Sequence, residues 1–164
     1  MATLSIIPVS QISSDNNVVT CEIFISAPRE RIFEALTDPK QAVRWWGQND
    51  RYHLSEFIMD TRVGGKWSTA GGSMKMGDIN VHGEFLEIDP PRRLSYTWIS
   101  SWLPKNTKVV WELENQSGGT LVKLTHTGLA GDAEQTTGHS TGWNLVLGWL
   151  QGFLERDETV STRE

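Results

Sequence analysis

The chain of 164 residues carries a formal net charge of −5 and has a sequence pI near 5.4. This length fits one domain that can bury a core without disulfides or a metal, and the acidic balance excludes nucleic acid as a partner. The single cysteine, Cys21, excludes an internal disulfide. The opening residues do not resemble a secretory signal, so a cytoplasmic location is expected. The unusual feature is eight tryptophans beside two tyrosines, because tryptophan clusters line cores and apolar pockets.

The first part of the chain predicts a loose end followed by a strand. Residues 1–16 are predicted to be a flexible N-terminal segment, because the turn-forming run at 13–17 separates them from the rest. Residues 18–26 are rich in β-branched side chains and predict the first strand. The folded domain is expected over residues 17–158, with residues 159–164 as a C-terminal tail.

Two short helices are predicted directly after this strand. Pro28 stands at the favoured first position of the first helix. Asp38 followed by Pro39 marks the start of the second, as a side-chain cap and a first-position proline. The second helix carries Trp46 and is expected to stop at Gly47.

The middle of the chain predicts antiparallel strands joined by turns. Alternating or β-rich patterns indicate strands at 54–60, 66–70, 79–88, 94–99, 109–114 and 122–126. Loops are expected between them at 71–78, at 101–106 and, after the last strand, at 128–138. The loop at 101–106 is predicted to expose Trp102 and Leu103, either as a gate to a cavity or as a homodimer contact.

A C-terminal helix organises the whole pattern. Over residues 142–154, Trp143, Leu147, Leu150 and Leu154 recur at the spacing of one helical face, and a second apolar stripe runs beside it. A helix apolar on most of its circumference is normally buried, and this one is too short and too polar to span a membrane. The chain therefore predicts an α+β fold in which a curved antiparallel sheet wraps around a long C-terminal helix.

Four sequence blocks resemble the START-like (SRPBCC) superfamily, and within it the family named after the C-terminal domain of the heat-shock protein 90 ATPase activator. They occur in the family's order and together extend the resemblance over residues 18–156. The blocks are APRERIF (27–33) with LTDP (36–39) and WWG (45–47), DTRVGGKW (60–67), HGEFLEIDPPRRL (82–94) and HSTGW (139–143).

The resemblance implies the helix-grip fold, in which the sheet grips the C-terminal helix and a cavity lies between them. It implies no common catalytic residues, since such families include carriers of apolar ligands, polyketide aromatase/cyclases and chaperone activators. Function has to be argued from the site. A protein that regulates a chaperone ATPase is therefore one alternative, with the chaperone as its partner.

We expect the main function to be binding of a small hydrophobic or aromatic ligand in this cavity. Burial of apolar area would drive binding, and aromatic walls would add stacking. His126 or Tyr96 is expected to orient the ligand through a hydrogen bond. The predicted ligand-binding residues are Trp46, Phe57, Trp67, Phe85, Tyr96, Trp98, Trp111, His126, Trp143 and Leu147.

A cyclase- or hydrolase-type enzyme is the other alternative. His126, or His82 with Glu84, would serve as a general base in the cavity. No nucleophile or second acid stands at a telling distance from these residues, so a role without catalysis is favoured. The four histidines form no close ligand pair, and neither a metal nor another cofactor is expected.

Overall fold

The computed structural model describes residues 6–49, 51–129 and 131–163. The elements in chain order are β1 (Val9–Ile12), β2 (Val18–Ile25), α1 (Arg29–Thr37), α2 (Pro39–Trp45), β3 (Gly47–Gln48), β4 (Tyr52–Met59), β5 (Lys66–Ser73), β6 (Gly77–Asp89), β7 (Arg93–Ser100), β8 (Leu103–Gln116), β9 (Gly119–Thr127) and α3 (Ala133–Arg156). A short 3₁₀ helix, Val160–Thr162, follows α3.

All strands belong to one antiparallel sheet. Its order is β1-β2-β9-β8-β7-β6-β5-β4-β3. The seven strands β3 to β9 therefore form a meander, and β2 pairs with β9. The register shifts at Leu54/Glu56, Phe85/Glu87 and Trp98/Ser100. Such bulges bend strands and give the sheet a concave inner face.

Side-chain alternation places the core on that inner face. In β8, Val109, Trp111 and Leu113 are buried while Glu112 and Glu114 between and beyond them are exposed, as the period of two predicts. α3 packs on β1 and β2, and α2 packs on β4, so the two helices cover different ends of the sheet. The predicted helix-grip architecture is confirmed.

Capping residues stand at the ends of α2 and α3. The Asp38 side chain accepts from the backbone N–H of Lys40 at the start of α2, as the sequence predicts. Asp132 caps α3 by accepting from Gln135 N. α3 ends at Arg156, and its C-cap Asp157 adopts a left-handed φ of 54°.

Four local predictions are wrong. Within the segment predicted to be flexible, residues 9–12 form β1, which pairs with β2; residues 1–5 lie outside the described part. Residues 71–78 mostly extend β5 and β6 rather than forming a loop. Leu103 starts β8, and it and Trp102 are half-buried rather than exposed. α3 begins at residue 133, inside the loop expected at 128–138.

Gly83 makes room for an aromatic ring on the inner face. A Cβ at this position would lie 1.8 Å from Thr97 O and 2.7 Å from Trp67 Nε1. Since neither the strand backbone nor the large indole ring can move far, only glycine fits here. The Trp67 ring therefore lies close over the backbone of the sheet floor.

Candidate functional site

The aromatic residues predicted to bind a ligand form one connected cluster. The Trp98 ring lies at its centre, with ring centroids 5.7 Å from Trp67, 5.1 Å from Trp143 and 6.4 Å from Trp46. The remaining predicted rings, Phe57, Phe85, Tyr96, Trp111 and His126, each contact at least one other member. Leu147 is fully buried in α3. The sequence thus identified residues that the fold brings together.

A largely enclosed space, called here the inner cavity, lies beside this cluster. Its volume of about 20 Å³ has room for one water molecule. Its lining comes from the end of α1, from α2 and from strands β4 to β8, and consists of Leu36, Ala42, Trp45, Trp46, Tyr52, Phe57, Met59, Trp67, Thr69, Val81, Leu94, Tyr96, Trp98 and Trp111.

The position of the inner cavity corrects the predicted one. It lies between the sheet and α2, whereas the sequence placed it between the sheet and the C-terminal helix. Trp143 and Leu147 of α3, together with Phe85 and His126, do not line it. Six of the ten predicted residues do line it: Trp46, Phe57, Trp67, Tyr96, Trp98 and Trp111.

Two adjacent tryptophans at the end of α2 form the roof of the inner cavity. Trp45 is fully buried and its Nε1–H donates to Ala35 O at 3.0 Å, which fixes it to α1. Trp46 is the C-cap of α2, with extended backbone, and is 8% exposed. Its ring contacts Phe57 at 6.2 Å and Trp143 at 6.0 Å. The two roof residues are therefore anchored differently, Trp45 by a backbone hydrogen bond and Trp46 by ring contacts.

Most polar groups around the inner cavity are already paired. Thr69 Oγ1 donates to Val81 O at 3.3 Å, and Trp111 Nε1 donates to the Tyr96 hydroxyl at 2.9 Å. Burial raises the pKa of Tyr96, so its hydroxyl stays protonated. The Nε1–H groups of Trp67 and Trp98 are buried and have no acceptor among the described residues. Trp67 Nε1 lies against Gly83, and both tryptophans line the inner cavity.

His126 takes part in a complete hydrogen-bond chain instead of facing a ligand. Trp143 Nε1–H donates to His126 Nδ1 at 3.0 Å. Thr107 Oγ1 donates to Trp98 O at 2.7 Å, so His126 Nε2–H must donate to Thr107 Oγ1, 2.7 Å away. Burial, and next the neighbouring His139, lower the pKa of His126 well below 6.5. This neutral ring has no free lone pair to act as a base or to orient a ligand.

His139 lies beside His126 at the N-terminal half of α3. Its Nδ1–H donates to Gln135 O at 2.7 Å, and the two imidazole centroids are 4.9 Å apart. Burial lowers the pKa of His139, while the hydrogen bond to Gln135 opposes this shift. Trp102 covers the His139 ring, with centroids 6.2 Å apart. The sequence predicts no ligand-binding role for His139. Its Nδ1–H binds the backbone of α3, while its Nε2 is buried and has no hydrogen-bond partner among the described residues.

His82 and Glu84 do not reach the inner cavity, which corrects their prediction as catalytic candidates. The inward residues of β6 are Val81, Gly83 and Phe85, so His82 and Glu84 point to the outer face. Glu84 pairs there with Lys66 at 3.0 Å. The geometry therefore gives the enzyme alternative no base in contact with the cavity.

The thiol of Cys21 does not supply a nucleophile either. It is buried, it donates to Asn144 Oδ1 at 3.3 Å, and burial raises its pKa to about 12. Among residues 6–49, 51–129 and 131–163, no three His, Cys, Asp or Glu side chains group closely enough to hold a metal ion.

Several lining residues were missed by sequence reasoning. Tyr52, Met59 and Thr69 lie on the inner face of β4 and β5, at the end of the sheet that α2 covers. Leu36 and Trp45 come from the helices above them. The apolar alternation of these strands was a usable signal, but the packing of α2 over them was not visible in the sequence.

Comparisons with known proteins agree with this architecture. CV1439 from Chromobacterium violaceum is 26% identical with a TM-score of 0.76, covering 86% of this chain and 99% of that one. CalU16 from Micromonospora echinospora is 22% identical with a TM-score of 0.64, covering 92% and 85%. An AHSA1-like protein from Aeromonas hydrophila is 20% identical with a TM-score of 0.71, covering 85% and 93%. No match is found among curated proteins.

The fold thus defines a helix-grip protein. The model of the family described as "Activator of Hsp90 ATPase homolog 1-like protein" matches residues 26–155, and the chain belongs to this family. In the part of the chain that the structure describes, no helix is long and apolar enough to cross a membrane.

Proposed function

We propose that this protein binds a small, mostly apolar aromatic molecule in the inner cavity, and that Trp46 moves aside to admit it. The observation that carries the proposal is an apolar, aromatic lining combined with a buried donor, Trp98 Nε1–H, that lacks an acceptor among the described residues. An unpaired buried donor costs about 1–3 kcal/mol. A ligand oxygen placed against it would remove that cost and orient the ligand.

The small volume of the inner cavity supports a moving side chain rather than a permanently open pocket. Ligand pockets typically measure roughly 300–1,000 Å³, and the inner cavity measures about 20 Å³. A ring-sized ligand therefore needs one aromatic side chain to leave. Trp46 is the best candidate, because it stands at the edge of α2 and is followed by Gly47, which has a φ of 132°.

The contacts that Trp46 makes in the closed form indicate the kind of ligand that replaces it. Its ring stacks near Trp98 at 6.4 Å with an interplanar angle of 24°. A flat ligand ring of similar size would make the same stacking contact with Trp98 and the same edge contacts with Phe57 and Trp143. Apolar area removed from water would add ~25 cal/mol per Å².

Two probes of nearly equal shape test both parts of the proposal. Acetophenone carries a carbonyl where ethylbenzene carries a methylene, so only acetophenone can accept from Trp98 Nε1–H. Both probes are expected to raise the melting temperature, since a ligand that binds only the folded state stabilises it. We expect acetophenone to bind about tenfold more tightly, as one buried hydrogen bond predicts.

Trp98→Phe is the matched variant for this experiment. It keeps an aromatic ring but removes the donor, so the two probes should bind the variant equally. If neither probe binds the unmodified protein, the proposed function is wrong. Native mass spectrometry of protein purified from its own host then shows whether a natural small molecule of this class stays bound.

Regulation of a chaperone ATPase is a second candidate, favoured by membership in a family named for activators of Hsp90 ATPase. Exposed aliphatic side chains at one end of the sheet, Ile58, Val63 and Leu86, offer a contact surface on the outside. This candidate predicts that the protein stimulates Hsp90 ATPase and that Leu86→Asp abolishes stimulation while leaving acetophenone binding intact. Absence of stimulation by the unmodified protein rejects it.

A further inference from the structure

The residues after α3 return to the roof of the inner cavity. This segment, residues 157–163, is called the C-terminal arm. It contains the 3₁₀ helix Val160–Thr162, whose ends are held by reciprocal side-chain caps between Thr159 and Thr162. The caps give the arm a defined path, and it ends with the Arg163 side chain inserted between α2 and α3.

The Arg163 guanidinium holds the backbone on both sides of Trp46. Nη1 donates to Trp45 O at 2.5 Å and to Gly47 O at 2.8 Å. Nη2 donates to Trp149 O of α3 at 2.7 Å. One side chain thus connects the two residues that flank Trp46 to the C-terminal helix α3.

The chemistry of these contacts favours a charged donor. Trp45 is the last residue of α2, where helix carbonyls lack intrahelical partners and carry partial negative charge. A guanidinium satisfies several such oxygens at once because its donors are held in a planar fork. The Arg163 guanidinium also lies over the Trp149 ring, 6.0 Å from the ring centroid.

We propose that Arg163 is a positioning residue that holds Trp46 closed over the inner cavity. This inference rests on the proposed function, because it assigns regulation to the same site. While the guanidinium binds both flanking carbonyls, the peptide groups around Trp46 cannot rotate, and the ring stays in place. Release of the arm frees the end of α2, so the fraction of molecules that admit a ligand rises.

The test compares the unmodified protein with Arg163→Ala, Arg163→Lys and the control Arg92→Ala. Arg92 pairs with Asp89 at the surface, in the turn between β6 and β7. Acetophenone is mixed with each protein in a stopped-flow instrument and followed by tryptophan fluorescence. We expect Arg163→Ala to increase the association rate about tenfold and to tighten binding, because a larger competent fraction lowers the apparent Kd.

Tighter binding by a less stable variant distinguishes positioning from a purely structural role. A structural role would lower the melting temperature and leave affinity unchanged or weaker. Arg163→Lys keeps a donor and should restore the slow association in part, and Arg92→Ala should behave like the unmodified protein. Equal association rates in the unmodified protein and Arg163→Ala, or the same acceleration in Arg92→Ala, would overturn the inference.

A measurement without ligand separates this inference from the proposed function. Hydrogen exchange of the α2 amides should be faster in Arg163→Ala than in the unmodified protein and in Arg92→Ala. Unchanged α2 exchange overturns the role of Arg163 even if acetophenone binds. Faster α2 exchange with no acetophenone binding to any of these proteins supports control of α2 by Arg163 and rejects the proposed function.

Discussion

Replacing Trp46 with alanine should convert the small inner cavity into a ligand site of defined size. Trp46 is buried, with 8% of the residue exposed, and its ring contacts Phe57, Trp98 and Trp143. A buried Trp→Ala change costs about 3–5 kcal/mol, of which each Å³ of remaining cavity contributes ~24 cal/mol. A cavity of roughly 150 Å³ stays dry and binds benzene-sized rings when its walls are apolar.

Chemical denaturation with and without indole measures both effects. We expect Trp46→Ala to lose about 3–5 kcal/mol of unfolding free energy and to regain ~2.7 kcal/mol at an indole concentration one hundred times its Kd. Trp102→Ala is the control, because Trp102 is half-buried and does not line the inner cavity. A loss below about 1 kcal/mol, or rescue by indole that is no larger than in the control, would refute the assignment of Trp46 as the roof.

Two further predictions concern stability. Because burial lowers the pKa of His126 and His139 below 6.5, the unfolded chain binds more protons, and the free energy of unfolding should fall as the pH drops below 6.5. The slope of this dependence reaches at most ~1.4 kcal/mol per pH unit for each histidine. His139→Asn should reduce the slope measured by urea denaturation at several pH values, and equal slopes in the variant and the unmodified protein would contradict the account. Gly83→Ala should prevent folding or lower the free energy of unfolding by more than about 3 kcal/mol, because the added Cβ would lie 1.8 Å from Thr97 O. A melting temperature within a few degrees of that of the unmodified protein would contradict this prediction and show that the strand can shift.

The elements with strong periodicity could be predicted from the sequence. Trp143, Leu147 and Leu150 recur on one face of α3 and are buried there, and the strand around Trp111 alternates as expected. These patterns are local consequences of helix and strand geometry. The cap at Asp38 was equally readable, because it depends on neighbouring residues only.

The prediction of a loop at Gly71 and Gly72 is wrong because the requirement for glycine in this strand is not local. Gly71 lies within β5, where a Cβ would be 2.2 Å from His53 O of β4. The sequence shows a turn-like Gly-Gly pair, whereas in the structure Gly71 of this pair permits the close approach of two strands. Such a requirement becomes visible only when the partner strand and its register are known.

The composition of the site was predictable, but its position and hydrogen bonds were not. The inward direction of His126 followed from strand alternation. Its two partners, Thr107 and Trp143, come from another strand and from α3, so the saturation of both ring nitrogens could not be read from the sequence. For the same reason the unpaired donor on Trp98 and the arm residue Arg163 were missed.

The most direct test of ligand binding in the inner cavity is an NMR titration of protein ¹⁵N-labelled at the tryptophan indoles, with resonances assigned through Trp→Phe variants. Acetophenone is predicted to shift the Trp98 Nε1–H resonance downfield in a saturable way, whereas ethylbenzene shifts it less and Trp102 stays unchanged. A Trp98 resonance that does not move at saturating acetophenone, or a response confined to Trp102, would contradict a ligand site beneath α2.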